Sequence, residues 1–106
     1  MGRKIRTYFE GAIYHVIQRG NNKAFIFQKQ ADKIKLLDLL HETMQTENYN
    51  YKLLYYVIMD NHYHLIVETP SIDANVSRIF QRVNMLYAKY YNKAYERCGG
   101  IYGGRP

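Results

Sequence analysis

Met59-Asp60-Asn61-His62-Tyr63-His64-Leu65-Ile66-Val67-Glu68 is the stretch on which the reading of this 106-residue chain turns. In an extended strand successive side chains leave opposite faces, so His62 and His64 share one face and Tyr63 points to the other. Asp60-Asn61 forms a short turn into this strand, which runs from His62 to Thr69 and is stopped by Pro70. The segment before it, Tyr51 to Met59, is nearly all apolar or aromatic and predicts a strand buried on both faces. Two imidazoles side by side on a rigid strand make half of a divalent-metal site. Without that chemistry they are two polar residues near a hairpin.

Working outward, Ile13-Tyr14-His15-Val16-Ile17-Gln18-Arg19 is β-branched and aromatic, and Gly20-Asn21-Asn22 ends it as a turn. From Gln30 to about Asn48, Ile34, Leu37, Leu40 and Met44 recur at helical spacing between charged residues. Ser71 or Asp73 can cap a second helix whose apolar stripe is Val76, Ile79, Phe80, Val83, Leu86 and Tyr90. The order strand, helix, strand, strand, helix is that of an α+β, ferredoxin-like βαββαβ fold with its last strand missing. In that fold the first and third strands are central neighbours, and a missing fourth leaves an open edge beside Ile13 to Arg19. Open edges recruit partners, so an edge-paired homodimer is compatible with this arrangement.

The length allows a single domain, residues 1–106, with a basic arm over about 1–10 and a glycine-rich tail over about 97–106. Fifteen Lys and Arg against nine Asp and Glu give a net charge of +6, a balance that suits a polyanionic partner. No acidic residue stands between Asp73 and Glu96, where Arg78, Arg82, Lys89 and Lys93 fall at spacings of four, seven and four, one stripe of the second helix. Such a stripe follows a phosphate backbone or simply solvates a helix face. Arg19, Lys23 and the Arg3-Lys4-Arg6 arm add further candidate phosphate contacts. His15 reads as a strand residue rather than a ligand, with Gln18 facing opposite to it. The lone Cys98 excludes an internal disulfide or a thiolate zinc site and fits a reducing cytoplasm. Neither a signal peptide nor a transmembrane run is visible, so a cytoplasmic protein with no membrane partner is expected. Most of the 12 tyrosines read as core filling.

Tyr14-His15-Val16-Ile17-Gln18-Arg19-Gly20-Asn21-Asn22 together with Met59 to Glu68 resembles the two N-terminal signatures of single-tyrosine HUH transposases. The likeness is to REP-associated tyrosine transposases and insertion-sequence 200-like relatives. Their usual forms are Tyr-His-Val leading to Arg-Gly-Asn, and Met-Pro-Asn-His-x-His-Leu; Asp60 stands here where proline is common. Asn84 to Asn92, with Tyr87, Tyr90 and Tyr91, is similar to the family's helix ending in Tyr-x-x-Tyr-Phe-Asn. Gly99-Gly100-Ile101-Tyr102-Gly103-Gly104-Arg105 resembles its Gly-x-Leu-Phe-x-Gly-Arg segment.

The resemblance implies transesterification on single-stranded DNA, usually beside a hairpin. His62 and His64 would hold a divalent metal, Mg²⁺ or Mn²⁺ by that resemblance, although the residues alone leave Zn²⁺ open. A tyrosine would attack the phosphate, giving a 5′-phosphotyrosine and a free 3′-OH. In the family that tyrosine lies on a later helix, with an Asn or Gln one turn on completing the metal site. No such segment stands before Pro106, so the nucleophile and the catalytic helix are expected beyond it, in a fragment or a truncated copy. Tyr87 and Tyr91, one turn apart, are the in-chain substitutes, but they lie on or beside the apolar stripe. Two alternatives stand beside the transposase: a non-catalytic nucleic-acid-binding module with Tyr55 or Tyr56 as a stacking platform, and an oligomerising structural domain.

Overall fold

The structure, a computed structural model, describes residues 13–46, 51–68 and 76–103. The basic arm, the proposed caps Ser71 and Asp73, and the last three residues lie outside these. Strand β1 spans Ile13–Arg19, helix α1 Gln30–Thr46, β2 Lys52–Ile58, β3 His62–Glu68 and α2 Val76–Ala94. The order is the expected one.

The sheet is antiparallel throughout, in the order β1-β3-β2. β3 is therefore central, and its side chains alternate strictly. Tyr63, Leu65 and Val67 are fully buried against the helices, while His62, His64, Ile66 and Glu68 lie half-buried on the other face. The helices cover only one face, which buries Val16 and Gln18 of β1 and leaves Ile13, His15 and Arg19 exposed. This single-sided packing is what brings the histidines to an open surface.

β2 is not buried on both faces. Leu54, Tyr55 and Tyr56 are each about half exposed, at 47, 56 and 50%. An edge strand of a one-sided sheet has solvent beside it and on one face, and apolar composition does not report strand order. A bulge between Leu53 and Tyr55 adds to this.

The buried side of α1 is also rotated from the expected stripe. Leu36, Leu39, Leu40 and Met44 face the core, whereas Ile34 is 49% exposed. Five of the seven residues from Ile34 to Leu40 are apolar, so spacing alone leaves the helix phase open. Asp32 sets it. Its fully buried carboxylate accepts the Gln28 and Lys29 amides and the phenols of Tyr90 (2.6 Å) and Tyr95 (2.5 Å), tying the start of α1 to the end of α2. Burial works to raise the carboxyl, but the phenols and amides outweigh it and hold it below the ordinary value.

The tail is anchored and covers part of the open edge. Ile101 is buried, Tyr102 pairs with Gly20 in an antiparallel bridge, and Gly103 donates its N–H to Arg19 at 2.9 Å. This occupies the place of a fourth strand, at the C-terminal end of β1 only. Among the described residues, nothing pairs with the outer edge of the rest of β1.

Candidate metal and nucleic-acid site

The turn before His62 is fixed from below. Met59 donates to His62 O at 2.8 Å and closes the hairpin, while Gly20 donates to Asn61 O at 2.8 Å. The carbonyl of Asp60 accepts the amides of both Ile26 and Phe27, at 2.9 and 3.0 Å. The Asp60 side chain, which stands where proline is common in the resembled motif, pairs with Lys33 of α1 at 3.7 Å. Two sequence motifs remote from each other thus form one rigid corner.

On that corner the two imidazoles stand with ring centroids 4.9 Å apart. His62 Nδ1 lies 2.6 Å from Asn61 Oδ1, and His64 Nδ1 lies 3.2 Å from His15 Nε2. Neither Nε2 has a hydrogen-bond partner among the described residues. His64 is held below the ordinary histidine value, first by burial and then by the charges of His62, His15 and Arg19. A neutral ring is the form that binds a metal. Three histidines therefore gather here where the sequence suggested two, because His15 pairs with Ile66 and so lies on the same face, one row from His64. Even so, among the described residues no group of three His, Cys, Asp or Glu side chains is arranged to hold an ion. Two imidazole ligands fit a divalent ion, and completion must come from elsewhere.

Arg19 is the cross-strand partner of His62, which puts a guanidinium on the histidine face. Lys23 is exposed in the 3-10 turn Asn21–Lys23 that follows β1, at φ 60°. Tyr55, the partner of Ile66, shares this face, and Tyr56 pairs with Leu65 on the other. The remaining cations are elsewhere. Arg78, Arg82, Lys89 and Lys93 are all exposed on α2, whose opposite side is packed against the core side of the sheet. They face away from the histidines, so one strand of nucleic acid lying flat on the sheet does not meet both groups.

Tyr87 and Tyr91 are core residues. Tyr87 is fully buried and donates its hydroxyl to Ile26 O; burial pushes its phenol far up. Tyr91 donates to Phe25 O at 2.7 Å and accepts from Gln28 Nε2 at 2.8 Å. Both lie beneath the sheet face opposite the histidines, a placement against either acting as nucleophile. Asn84, the nearby polar residue, is spent in the same layer. It accepts the Tyr63 hydroxyl at 2.6 Å and donates to Gln18 at 3.1 Å. The sequence held the signal for this network, since Tyr63 sits between the two histidines and Gln18 opposite His15, and alternation sends both inward.

Fold and site together define an α+β domain that presents a paired-histidine motif on the open face of a ferredoxin-like sheet. A family model described as "Transposase IS200 like" matches residues 8–104, and the chain belongs to that family. Among solved structures, it is similar to a REP-associated tyrosine transposase bound to a REP hairpin. That match has a TM-score of 0.72 and 16% identity, covering 99% of this chain and 59% of the other. It is also similar to a Deinococcus radiodurans protein provisionally assigned as a transposase, with TM-score 0.64 and 16% identity, covering 90% of this chain and 70% of the other. No curated protein matches. The chain thus spans about three-fifths of the length of the hairpin-bound relative. No described helix is long and apolar enough to cross a membrane.

Proposed function

We propose that this chain supplies the DNA-binding and metal-holding part of a transposase that cuts and rejoins single-stranded DNA next to a hairpin. The observation that carries this reading is the pair His62 and His64 on the open face of the central strand, beside Arg19, in a chain of the IS200-like family. The two imidazoles would hold Mg²⁺ or Mn²⁺, which when bound polarises a scissile phosphate and stabilises charge on its non-bridging oxygens. The chain's own residues do the rest of the positioning. Arg19 neutralises a backbone phosphate next to the pair, and Tyr55 offers a ring on which an unpaired base can stack.

With Tyr87 and Tyr91 engaged in the core, the proposed nucleophile is a tyrosine from a segment following Pro106. Its oxygen would form the bond to phosphorus as the bond to the 3′ oxygen breaks, and the freed oxygen would take up a proton as a 3′-OH. An ester replaces an ester, so the strand can be rejoined without an external energy source.

The test is a titration of hairpin-flanked single-stranded DNA with and without EDTA, together with Mn²⁺ binding measured by electron paramagnetic resonance. Mn²⁺ uptake by the wild type, lost in His62→Ala, supports the reading. No uptake, with DNA affinity indifferent to EDTA, replaces it with a non-catalytic binding module.

A further inference from the structure

Each imidazole of the pair is held at Nδ1 by a neighbour: His62 by Asn61 Oδ1 at 2.6 Å, and His64 by His15 Nε2 at 3.2 Å. A carbonyl oxygen can only accept, so the His62 contact places its proton on Nδ1 and its lone pair on Nε2. The His15–His64 contact needs one donor and one acceptor. His64 is the donor when the exposed His15 carries its own proton on Nδ1 and accepts at Nε2, and the His64 lone pair then also falls on Nε2. We infer that Asn61 and His15 are positioning residues that fix both histidines as Nδ1–H tautomers, presenting two Nε2 lone pairs to the cation.

Three observations support this arrangement. First, the two nitrogens that would bind the ion are the two without a partner among the described residues. Second, Asn61 is itself immobilised. Its carbonyl accepts from Gly20 at 2.8 Å, and the closing bond from Met59 to His62 O fixes the turn on which its side chain stands. Third, the His15 and His64 rings are inclined by only 27° with centroids 5.4 Å apart, so they meet edge to edge, close to the coplanar arrangement that a ring-to-ring N–H···N bond needs. A free histidine favours the Nε2–H tautomer, and a ring in that form must rearrange before it can ligate through Nε2. Partners that accept the Nδ1 proton remove this step and raise the basicity of the ligating nitrogen.

This inference rests on the metal reading above, and the experiment separates the two. Long-range proton–nitrogen NMR of the imidazoles in the metal-free protein reports each tautomer directly, and Mn²⁺ affinity is measured on the same samples. In the wild type, His62 and His64 are expected as Nδ1–H. Asn61→Ala should release His62 to the Nε2–H form and His15→Phe should release His64, each weakening Mn²⁺ binding about ten-fold. Asn61→Asp and His15→Gln keep an acceptor and should restore both readouts, which a merely structural role does not predict. His15 is exposed and Asn61 acts on the fold through its backbone, so these variants should fold. Wild-type rings in the Nε2–H form, or Asn61→Ala and His15→Phe binding Mn²⁺ as well as the wild type, overturn the positioning role. A wild type that takes up no Mn²⁺ while its rings are Nδ1–H overturns the metal reading instead.

Discussion

Gly20 donates its backbone N–H to the carbonyl of Asn61 at 2.8 Å, and so joins the end of the first strand to the turn that carries the histidine pair. The position needs glycine for space and not for conformation. Its φ is −70°, but a Cβ there would lie 2.2 Å from the backbone oxygen of Ala24. A carbonyl cannot swing aside as a side chain can. Gly20→Ala should therefore cost about 2–3 kcal/mol in denaturant unfolding and weaken Mn²⁺ uptake with it, because the histidine turn must shift. An Ala variant with wild-type stability would mean the corner is softer than its hydrogen bonds suggest.

Asp32 is the anchor between the helices. Asp32→Asn removes the charge from its hydrogen bonds to two phenols and two amides, and should cost about 1.5–3 kcal/mol. Its carboxyl titrates below the unfolded value. The wild type should keep this stabilisation above about pH 4 and lose it as pH falls through the lower folded value, while the Asn variant shows a shallower acid limb. At the alkaline end the sign reverses. The hydrogen bond to Asp32 lifts the Tyr90 phenol to about 12, so its contribution is intact below the unfolded value and lost as pH rises to about 12. Urea midpoints measured across pH check both limbs.

Asn84 holds Tyr63 and Gln18 together beneath the histidine strand. Asn84→Leu leaves the fully buried Tyr63 hydroxyl without its acceptor and should cost about 2–3 kcal/mol. Adding Tyr63→Phe removes the orphaned hydroxyl and should recover part of that loss. A strictly additive double variant would show that the two side chains do not act as a unit.

The cations should separate by face. Arg19→Ala should weaken hairpin binding and reduce the slope of log affinity against log salt by about 0.7, the share of one single-strand phosphate contact. It should also diminish the increment in affinity that Mn²⁺ supplies. Arg82→Ala combined with Lys89→Ala should lower general affinity and salt slope while leaving that increment unchanged. If the helix pair abolished the Mn²⁺-dependent part, the nucleic acid would have to wrap from one face to the other.

The sequence by itself determined the element order, the bounds of β1, and the common face of His62 and His64. All of these follow from local periodicity, which alternation and turn residues encode directly. It also carried the family resemblance, through two motifs whose glycine and histidines have spatial jobs. Only the tertiary structure decided the rest. Strand order made β2 an exposed edge despite its apolar composition, and the buried Asp32 chose the phase of a helix whose centre is apolar almost all round. Packing of both helices on one sheet face sent the basic stripe to the far side from the histidines, and it gave Tyr87 and Tyr91, which their spacing already put on or beside the apolar stripe, the Ile26 and Phe25 carbonyls as hydroxyl partners. It also brought His15 to His64 across 49 residues of sequence. Such relationships depend on which surfaces meet, and a one-dimensional pattern fixes a residue's side of its own element without fixing what lies opposite.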